Sequence, residues 1–335
     1  AAVHCGMDPV WASEIEARPI SITKRHFPDM LHLGDITKIS GAEIPPVDVI
    51  TFGSPCQDLS QIGTRNGFAG KKSSLFYQAM RIIEEMRYAT NGRYPAFTVW
   101  ENVAGAFSSN DRLDFAAMLR AFTGAEVSVP PRGWAHAGMV RGGRADTAWR
   151  LLDAQYWGEP ALAQRRKRVF VVADFAGQRA GEVLFKPRTV LPFSTISGPG
   201  GLSATQRGGV PAAQTGRQVP IVRPFSLRRM RTMAQVGDRK GFCASFGRGG
   251  EPFPTLLASV TAPFSFWYEG EEQDGFLRVL TPLECERLMG LPENWTKYGC
   301  MNEEISDHAR YRALGNSIAL PCAEYVMAGI AEVMN

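Results

Sequence analysis

Apolar and polar positions along this chain follow two rhythms that alternate. Near-continuous apolar runs occur at Val47-Asp48-Val49-Ile50-Thr51-Phe52, which ends in Gly53-Ser54-Pro55, and at Pro95-Ala96-Phe97-Thr98-Val99-Trp100 and Arg168-Val169-Phe170-Val171-Val172-Ala173. Runs of that length, bounded by turn residues, read as buried strands. Val10-Trp11-Ala12-Ser13-Glu14 and Leu31-His32-Leu33-Gly34-Asp35-Ile36 read as two more strands, each with an acid near its tip. Between them residues 16–26 read as helix, and Leu75, Phe76, Ala79, Ile82, Ile83 and Met86 form a helical stripe suited to lie on a sheet. Strand and helix alternate to about Phe175, which predicts an α/β domain with a doubly wound, mostly parallel sheet.

The texture then changes. Gly198-Pro199-Gly200-Gly201, Gly208-Gly209 and Gly247-Arg248-Gly249-Gly250 punctuate a stretch with few regular periods, read as loops and short strands presented for contact. Phe225, Phe242, Phe246, Phe253, Phe264, Phe266 and Trp267 give that stretch the material of a folded core. Regularity returns at Thr281-Pro282-Leu283-Glu284, a capping-box signature whose helix should stop at Gly290 and Pro292. Cys322, Tyr325, Val326, Ile330 and Val333 place a last stripe on residues 321–334, expected to pack back onto the first domain. The predicted organisation is a catalytic domain over residues 1–175, completed by 308–335, and a smaller, irregular, β-rich domain over 176–307.

Charge adds a partner. The net charge is only +4, yet residues 176–251 carry twelve basic side chains against three acids, a local +9. Arg outnumbers Lys there, which suits bidentate contact with phosphates or guanine edges, so a polyanion is the expected partner. The six cysteines (5, 56, 243, 285, 300, 322) form no C-x-x-C pair, so no metal site is expected and reduced thiols fit best. No stretch approaches about 18 consecutive apolar residues, and no basic-then-apolar leader opens the sequence, so neither a membrane span nor secretion is expected.

Candidate chemistry sits at the ends of the three central runs. Cys56 follows one strand, Glu101 ends another, and Arg166 and Arg168 introduce the third. A thiol, a carboxyl and guanidinium groups suit covalent attack on an electron-poor ring. Position alone leaves plainer readings open: a buried small hydrophobe for Cys56, a loop acid for Glu101 and a solvated basic face for the arginines.

Pro55-Cys56-Gln57, Glu101-Asn102-Val103, Gln164-x-Arg166-x-Arg168, the run from Arg278 to Pro292, and Gly315-Asn316-Ser317 resemble, in order and separation, motifs of the DNA cytosine methyltransferases that modify carbon 5. The resemblance covers nearly the whole chain outside residues 176–277. It implies a Rossmann-like, S-adenosylmethionine-dependent methyltransferase sheet, with target recognition by the basic segment. It implies Cys56 as nucleophile at carbon 6 of a flipped-out cytosine, and Glu101 on the neighbouring ring nitrogen. Arg166 would bind the base carbonyl, and Arg168 would meet phosphate or Glu101. For S-adenosylmethionine it implies Glu14 at a ribose, Ile15 at an adenine face, Asp35 with Ile36 at the adenine amino group, Gly53, Pro55 and Leu75 along the pocket, and Asn316 and Ser317 closing it. Gln57, Arg228, Arg229, Arg231, Arg239, Lys240, Arg248 and Thr255 are the expected DNA contacts, and the Gln57–Lys72 loop is the expected cover over the extruded base.

The implied partner is double-stranded DNA, acted on by a monomer in the cytoplasm of a bacterial or phage-infected cell, with a cognate restriction endonuclease as functional counterpart. One departure stands out. The family's opening strand and Phe-x-Gly-x-Gly-Gly turn are missing from the sequence, which starts at Ala1-Ala2-Val3-His4-Cys5-Gly6, so the sheet is expected to lack its first strand and cofactor affinity to be weakened. A non-catalytic DNA-binding remnant and an RNA cytosine methyltransferase of the same family are the alternatives.

Overall fold

The computed structural model describes residues 1–54, 75–186, 221–225, 252–253, 255–256, 264–268 and 276–335, with side chains left out at 221–225, 264–268 and 276–278. In chain order its strands are β1 (Trp11–Ala12), β2 (Leu31–His32), β3 (Val49–Gly53), β4 (Phe97–Val103), β5 (Ala137–Arg141), β6 (Asp146–Asp153), β7 (Lys167–Asp174), β8 (Ile221–Phe225), β9 (Phe264–Tyr268) and β10 (Phe276–Val279). Among the described residues these strands form three sheets: β1-β2, β3-β4-β7-β6-β5, and β10-β9-β8.

The expected mostly parallel sheet is corrected here. Only β3–β4 is parallel within the five-stranded sheet; β4–β7, β7–β6 and β6–β5 all run antiparallel. The cause is local. β5 and β6 are joined by residues 142–145, too few for a crossover helix, so the chain must fold back as a hairpin. Gly142 in that turn lies so close to helix Leu113–Thr123 that a Cβ would sit 2.1 Å from the Thr123 carbonyl oxygen. The parallel pair β1–β2 forms a sheet of its own.

Apolar residues cover both faces of the main sheet. On one, Trp100, Val169, Val171 and Ala173 meet Phe76, Met80, Ile83 and Met86 of helix Leu75–Ala89 and Phe115, Met118, Leu119 and Phe122 of helix Leu113–Thr123. The stripe read from spacing is buried as expected except for its first member, Leu75, which is 42% exposed. On the other face, Phe97, Val99, Leu152, Phe170 and Val172 meet Cys285, Leu288 and Met289 of helix Pro282–Met289 and Cys322, Val326 and Ile330 of helix Leu320–Met334. Each large side chain so buried contributes about 1.5–3 kcal/mol. The C-terminal stripe therefore packs onto the main sheet. The capping box at Thr281 and Glu284 is formed, and Gly290 ends that helix at φ 74°.

One polar cluster pins the C-terminal segment. The fully buried Glu286 carboxylate accepts from the Asn294 and Thr296 backbone N–H groups at 2.8 Å each, from the Thr296 hydroxyl at 2.5 Å and from Arg310 Nη2 at 3.1 Å. Removing one member of a buried ion pair strands the other. Glu286→Ala should therefore lower unfolding free energy by about 3–5 kcal/mol in urea titrations, and Arg310→Leu added to it should recover part of that loss.

Candidate active site

The site is assembled by strand register. β3 and β4 pair in parallel so that Gly53 faces Glu101, and the Glu101 carboxylate lies 3.5 Å from where a Cβ on Gly53 would sit. The residues flanking Glu101 point to the opposite face and hold the turn after β3. Trp100 Nε1 donates to Ser54 Oγ at 3.1 Å, and Asn102 Nδ2 donates to the Ser54 carbonyl at 2.8 Å. Ser54 is buried, so the backbone just ahead of Pro55 and Cys56 is fixed beside the carboxylate. Pro55, Cys56, Gln57, Arg228, Arg229, Arg231, Arg239, Lys240 and Arg248 lie outside the described residues.

β4 and β7 pair antiparallel with Glu101 opposite Phe170 and Val103 opposite Arg168. The diagonal brings Arg168 Nε to 3.0 Å from Glu101 Oε1, with both side chains about 15% exposed (14% and 15%). Burial pushes the Glu101 carboxyl above the ordinary glutamate value, while Arg168 and Arg166 pull it back down. An acid in that balance keeps its proton to higher pH than a free glutamate does, which suits a hydrogen-bond or proton donor.

Arg166 does something different from what the motif suggested. It is 2% exposed. Its Nη1 donates to the Leu256 carbonyl at 2.9 Å, and its Nη2 to the carbonyls of Gly315 and Ser317 at 2.8 and 2.6 Å. Its Nε is buried without a partner among the described residues. Arg166 was expected at the base carbonyl; its terminal nitrogens are engaged by main-chain oxygens of three residues, and Arg168 is the arginine that touches Glu101. Burial lowers the Arg166 pKa to about 10, still high enough to keep it charged near neutrality.

Gln164 and Thr255 complete the same joint. Gln164 is fully buried; its Nε2 donates to the Leu288 carbonyl at 2.9 Å and its Oε1 accepts from the Leu256 N–H at 3.0 Å. Thr255, an expected DNA contact, donates its hydroxyl to the Arg165 carbonyl at 2.6 Å. Phe253 pairs with Gln164 in a parallel bridge. The Thr255-Leu256 pair thus docks directly on the Gln164-x-Arg166 segment. Asp153, which spacing did not single out, accepts from the Arg166 backbone N–H at 3.1 Å.

Four of the residues expected at the cofactor, Glu14, Ile15, Asp35 and Ile36, follow two neighbouring strand ends. β1 and β2 are parallel, and Glu14 and Asp35 follow them on the same side. Glu14 Oε1 accepts from the N–H groups of Ile15 and Glu16 at 2.7 and 2.9 Å, and Asp35 Oδ1 accepts from Thr37 N and Oγ1 at 2.9 and 2.8 Å. Those bonds, with Thr37 first, hold Asp35 below the usual carboxylate range. Neither Glu14 Oε2 nor Asp35 Oδ2 has a protein donor among the described residues, so each carboxylate keeps an acceptor to spare. Ile15 is 73% exposed beside them, an apolar surface on offer. Those acceptors and the exposed apolar side chain fit a ribose hydroxyl, an adenine amino group and a ring face. Ser317 joins the catalytic side through its carbonyl on Arg166, while Asn316 ends helix Asp307–Asn316 on the surface. Among the described residues no cluster of His, Cys, Asp or Glu could hold a metal ion, and no single helix is long and apolar enough to cross a membrane.

Residues 2–187 and 227–332 match the family described as C-5 cytosine-specific DNA methylase. The chain belongs to that family. Its relatives include the Type II methyltransferase M1.ScrFI of Lactococcus lactis subsp. cremoris, 26% identical over 97% of this chain and 72% of the relative. They also include M.BsuFI of Bacillus subtilis, 25% identical over 96% and 67%. A protein of Escherichia phage P1 named DNA N-6-adenine-methyltransferase is 24% identical over 96% of this chain, which spans only 58% of that relative's length. The fold matches crystal structures of a DNA modification methyltransferase encoded within an E. coli prophage and of S. pombe Dnmt2. Both have a TM-score of 0.58, at 17% and 16% identity, covering all of this chain and 95% and 96% of theirs. The methyltransferase fold expected from the motifs is therefore the one found.

Replacing Arg166 by Met should leave the carbonyls of Leu256, Gly315 and Ser317 without their buried donor. The expected result is a loss of about 3–5 kcal/mol of stability, with faster amide exchange at residues 314–318 by mass spectrometry. Arg168→Met, on the rim of the site, should spare both readouts.

Proposed function

We propose that this methyltransferase-family chain carries out cytosine C-5 methylation of a specific duplex DNA sequence, with Cys56 as the covalent nucleophile. What supports this reading above all is the Glu101–Arg168 pair at 3.0 Å, placed by β3–β4 register beside the segment that leads into Cys56. Two residues of chain span at most about 7 Å, so connectivity alone keeps Cys56 close to the anchored Ser54. A cationic neighbour would favour the thiolate over the thiol.

The target base would be extruded from the duplex, since its ring cannot be reached in the stack. The Cys56 thiolate would form a bond to ring carbon 6 while Glu101 donates to the adjacent ring nitrogen, so that the pushed electron pair ends on carbon 5 as an enamine. Arg168 would hold Glu101 in line and face the base carbonyl, in place of the buried Arg166. Bound S-adenosylmethionine would supply the methyl group; Glu14, Ile15, Asp35 and Ile36 would hold its adenosine part, with Gly53, Pro55, Leu75, Asn316 and Ser317 along the rest. Loss of the carbon 5 proton to a base and expulsion of the Cys56 thiolate would then restore the aromatic ring.

Arg228, Arg229, Arg231, Arg239, Lys240, Arg248 and Thr255 would contact the duplex from residues 176–307, the segment proposed for target recognition, and Gln57 would contact it from beside Cys56. A bacterial or phage-infected cytoplasm, a monomeric state and a cognate restriction endonuclease complete the reading.

The test is transfer of labelled methyl from S-adenosylmethionine to cytosine in duplex DNA, with a 5-fluorocytosine duplex to trap the adduct. Cys56→Ser should show neither label nor adduct. Glu101→Gln should slow transfer by about 10²–10⁴-fold with duplex affinity kept. Full transfer by Cys56→Ser, or label at adenine, would overturn the mechanism.

A further inference from the structure

On the face of the main sheet opposite the Glu101–Arg168 pair lies a cavity of about 390 Å³ whose cationic lining is Arg112, Arg132 and Lys167. No acid lines it, and none of these three side chains forms an ion pair among the described residues. Phe107 and His136 add a flat wall, their rings 6.4 Å apart and 26° from parallel.

Arg112 is deliberately aimed. Asn110, Asp111 and Arg112 have consecutive φ values of 47°, 51° and 74°, backbone that non-glycine residues seldom adopt. Buried Asp114 holds the turn by accepting from Ser109 Oγ at 2.5 Å and Asn110 Nδ2 at 3.0 Å, and Trp134 Nε1 donates to the Arg112 carbonyl at 3.0 Å. The guanidinium lies on Gly133, whose Cβ would sit 3.3 Å from Arg112 Cζ. Lys167 and Arg168 are neighbours at the start of β7, and successive strand residues face opposite ways. Arg168 thus turns to Glu101 while Lys167 turns to the cavity. Both sites open at one end of the sheet.

We propose that this cavity seats a backbone phosphate of the duplex DNA whose cytosine is presented at the other face, a clamp outside the target-recognition segment. The proposal rests on the function proposed above only for the identity of the duplex. Three cations unopposed by acid, beside a ring wall, fit a phosphodiester next to its sugar and base.

The experiment measures duplex affinity against salt by fluorescence anisotropy for the unaltered chain, for Arg132→Gln/Lys167→Gln, and for the triple variant adding Arg112→Gln. A matched control, Arg18→Gln/Lys24→Gln, removes two exposed cations elsewhere. The slope of log affinity on log salt should become shallower by about 0.9 for each phosphate no longer neutralised in the cavity variants, equally on any duplex sequence, and stay unchanged in the control. The double variant leaves the strained turn intact, so a misfolded triple variant does not decide the matter. Unchanged slopes in the double variant, equal changes in the control, or no duplex binding by the unaltered chain would each overturn the clamp. So would saturable binding of deoxycytidine monophosphate, abolished in the double variant, with an unchanged duplex slope, since the phosphate would then come from a free nucleotide. A shallower slope in the variant, alongside no 5-fluorocytosine adduct in the unaltered chain, would keep the clamp and reject the proposed chemistry instead.

Discussion

A buried guanidinium holds this structure's working parts in register. Arg166 draws together the carbonyls of Leu256, Gly315 and Ser317, segments that lie 90, 149 and 151 residues away in sequence. Desolvating a cation costs several kcal/mol, and that cost is offset only when good acceptors surround it. Three short charge-assisted hydrogen bonds, at roughly 1.5–3 kcal/mol each, supply such acceptors. Because the offset exists only when all three segments are present, the arginine makes their assembly cooperative. A hydrophobic residue of similar size could fill the space, but it would not specify which backbone carbonyls converge there.

The same arginine sets the electrostatics next door. Glu101 experiences two opposing influences: burial, which favours its neutral form, and the cations Arg168 and Arg166, which favour its charged form. Burial is the larger. The two nearby thiols of the core are pushed the opposite way from reactivity: Cys322 is raised to about 12 and Cys285 is raised further, in both cases chiefly by desolvation. A thiol buried in this core is therefore inert, and a nucleophilic cysteine has to stand at the strand edge, where cations and solvent meet. The turn after β3 is such a place. Trp100 and Asn102 anchor it from the far face of β4, leaving the Glu101 face clear.

How much of this was legible in the sequence can be followed residue by residue. Strands β4 and β7 were readable because each is buried on both faces and so carries an uninterrupted apolar run; β3 carries such a run too, although it lies at the sheet edge with Thr51 exposed. The hairpin of β5 and β6 was not. Its exposed positions alternate along Ala137–Arg141, and its turn follows from a glycine forced against a helix, a tertiary fact with no local signal. The motif arginines show the limit of spacing. Arg166 and Arg168 are two residues apart on one segment, so periodicity puts both on one side and cannot tell a structural staple from a site residue. Burial decides between them, at 2% against 14% for the Arg168 side chain, and burial depends on Leu256, Gly315 and Ser317 arriving from elsewhere. Thr255 carries the same lesson. Its hydroxyl donates to Arg165, a bond visible only once the segments dock.

The two halves of the candidate site are joined in an unexpected manner. β1 and β2, which carry Glu14 and Asp35, are not laddered onto β3, which leads to Cys56. They are attached to helix Leu75–Ala89, where Arg81 Nη2 donates to the Ile36 carbonyl at 3.1 Å, and through helix Ala17–His26 to the C-terminal segment. Glu16 pairs with Arg312, Arg25 Nη1 donates to the Gly299 carbonyl at 3.2 Å, and His26 stacks on Trp295 with centroids 3.5 Å apart. That segment is also the one Arg166 grips at Gly315 and Ser317. Residues 295–317 therefore touch helix Ala17–His26 on one side and Arg166 on the other. A shift of this segment would move the strand tips of Glu14 and Asp35 relative to Glu101, so their separation is set by C-terminal packing as well as by the sheet. The buried Glu286–Arg310 pair, which ties Arg310 of this stretch to helix Pro282–Met289, then has a reason beyond stability. It makes the bridge between the halves rigid.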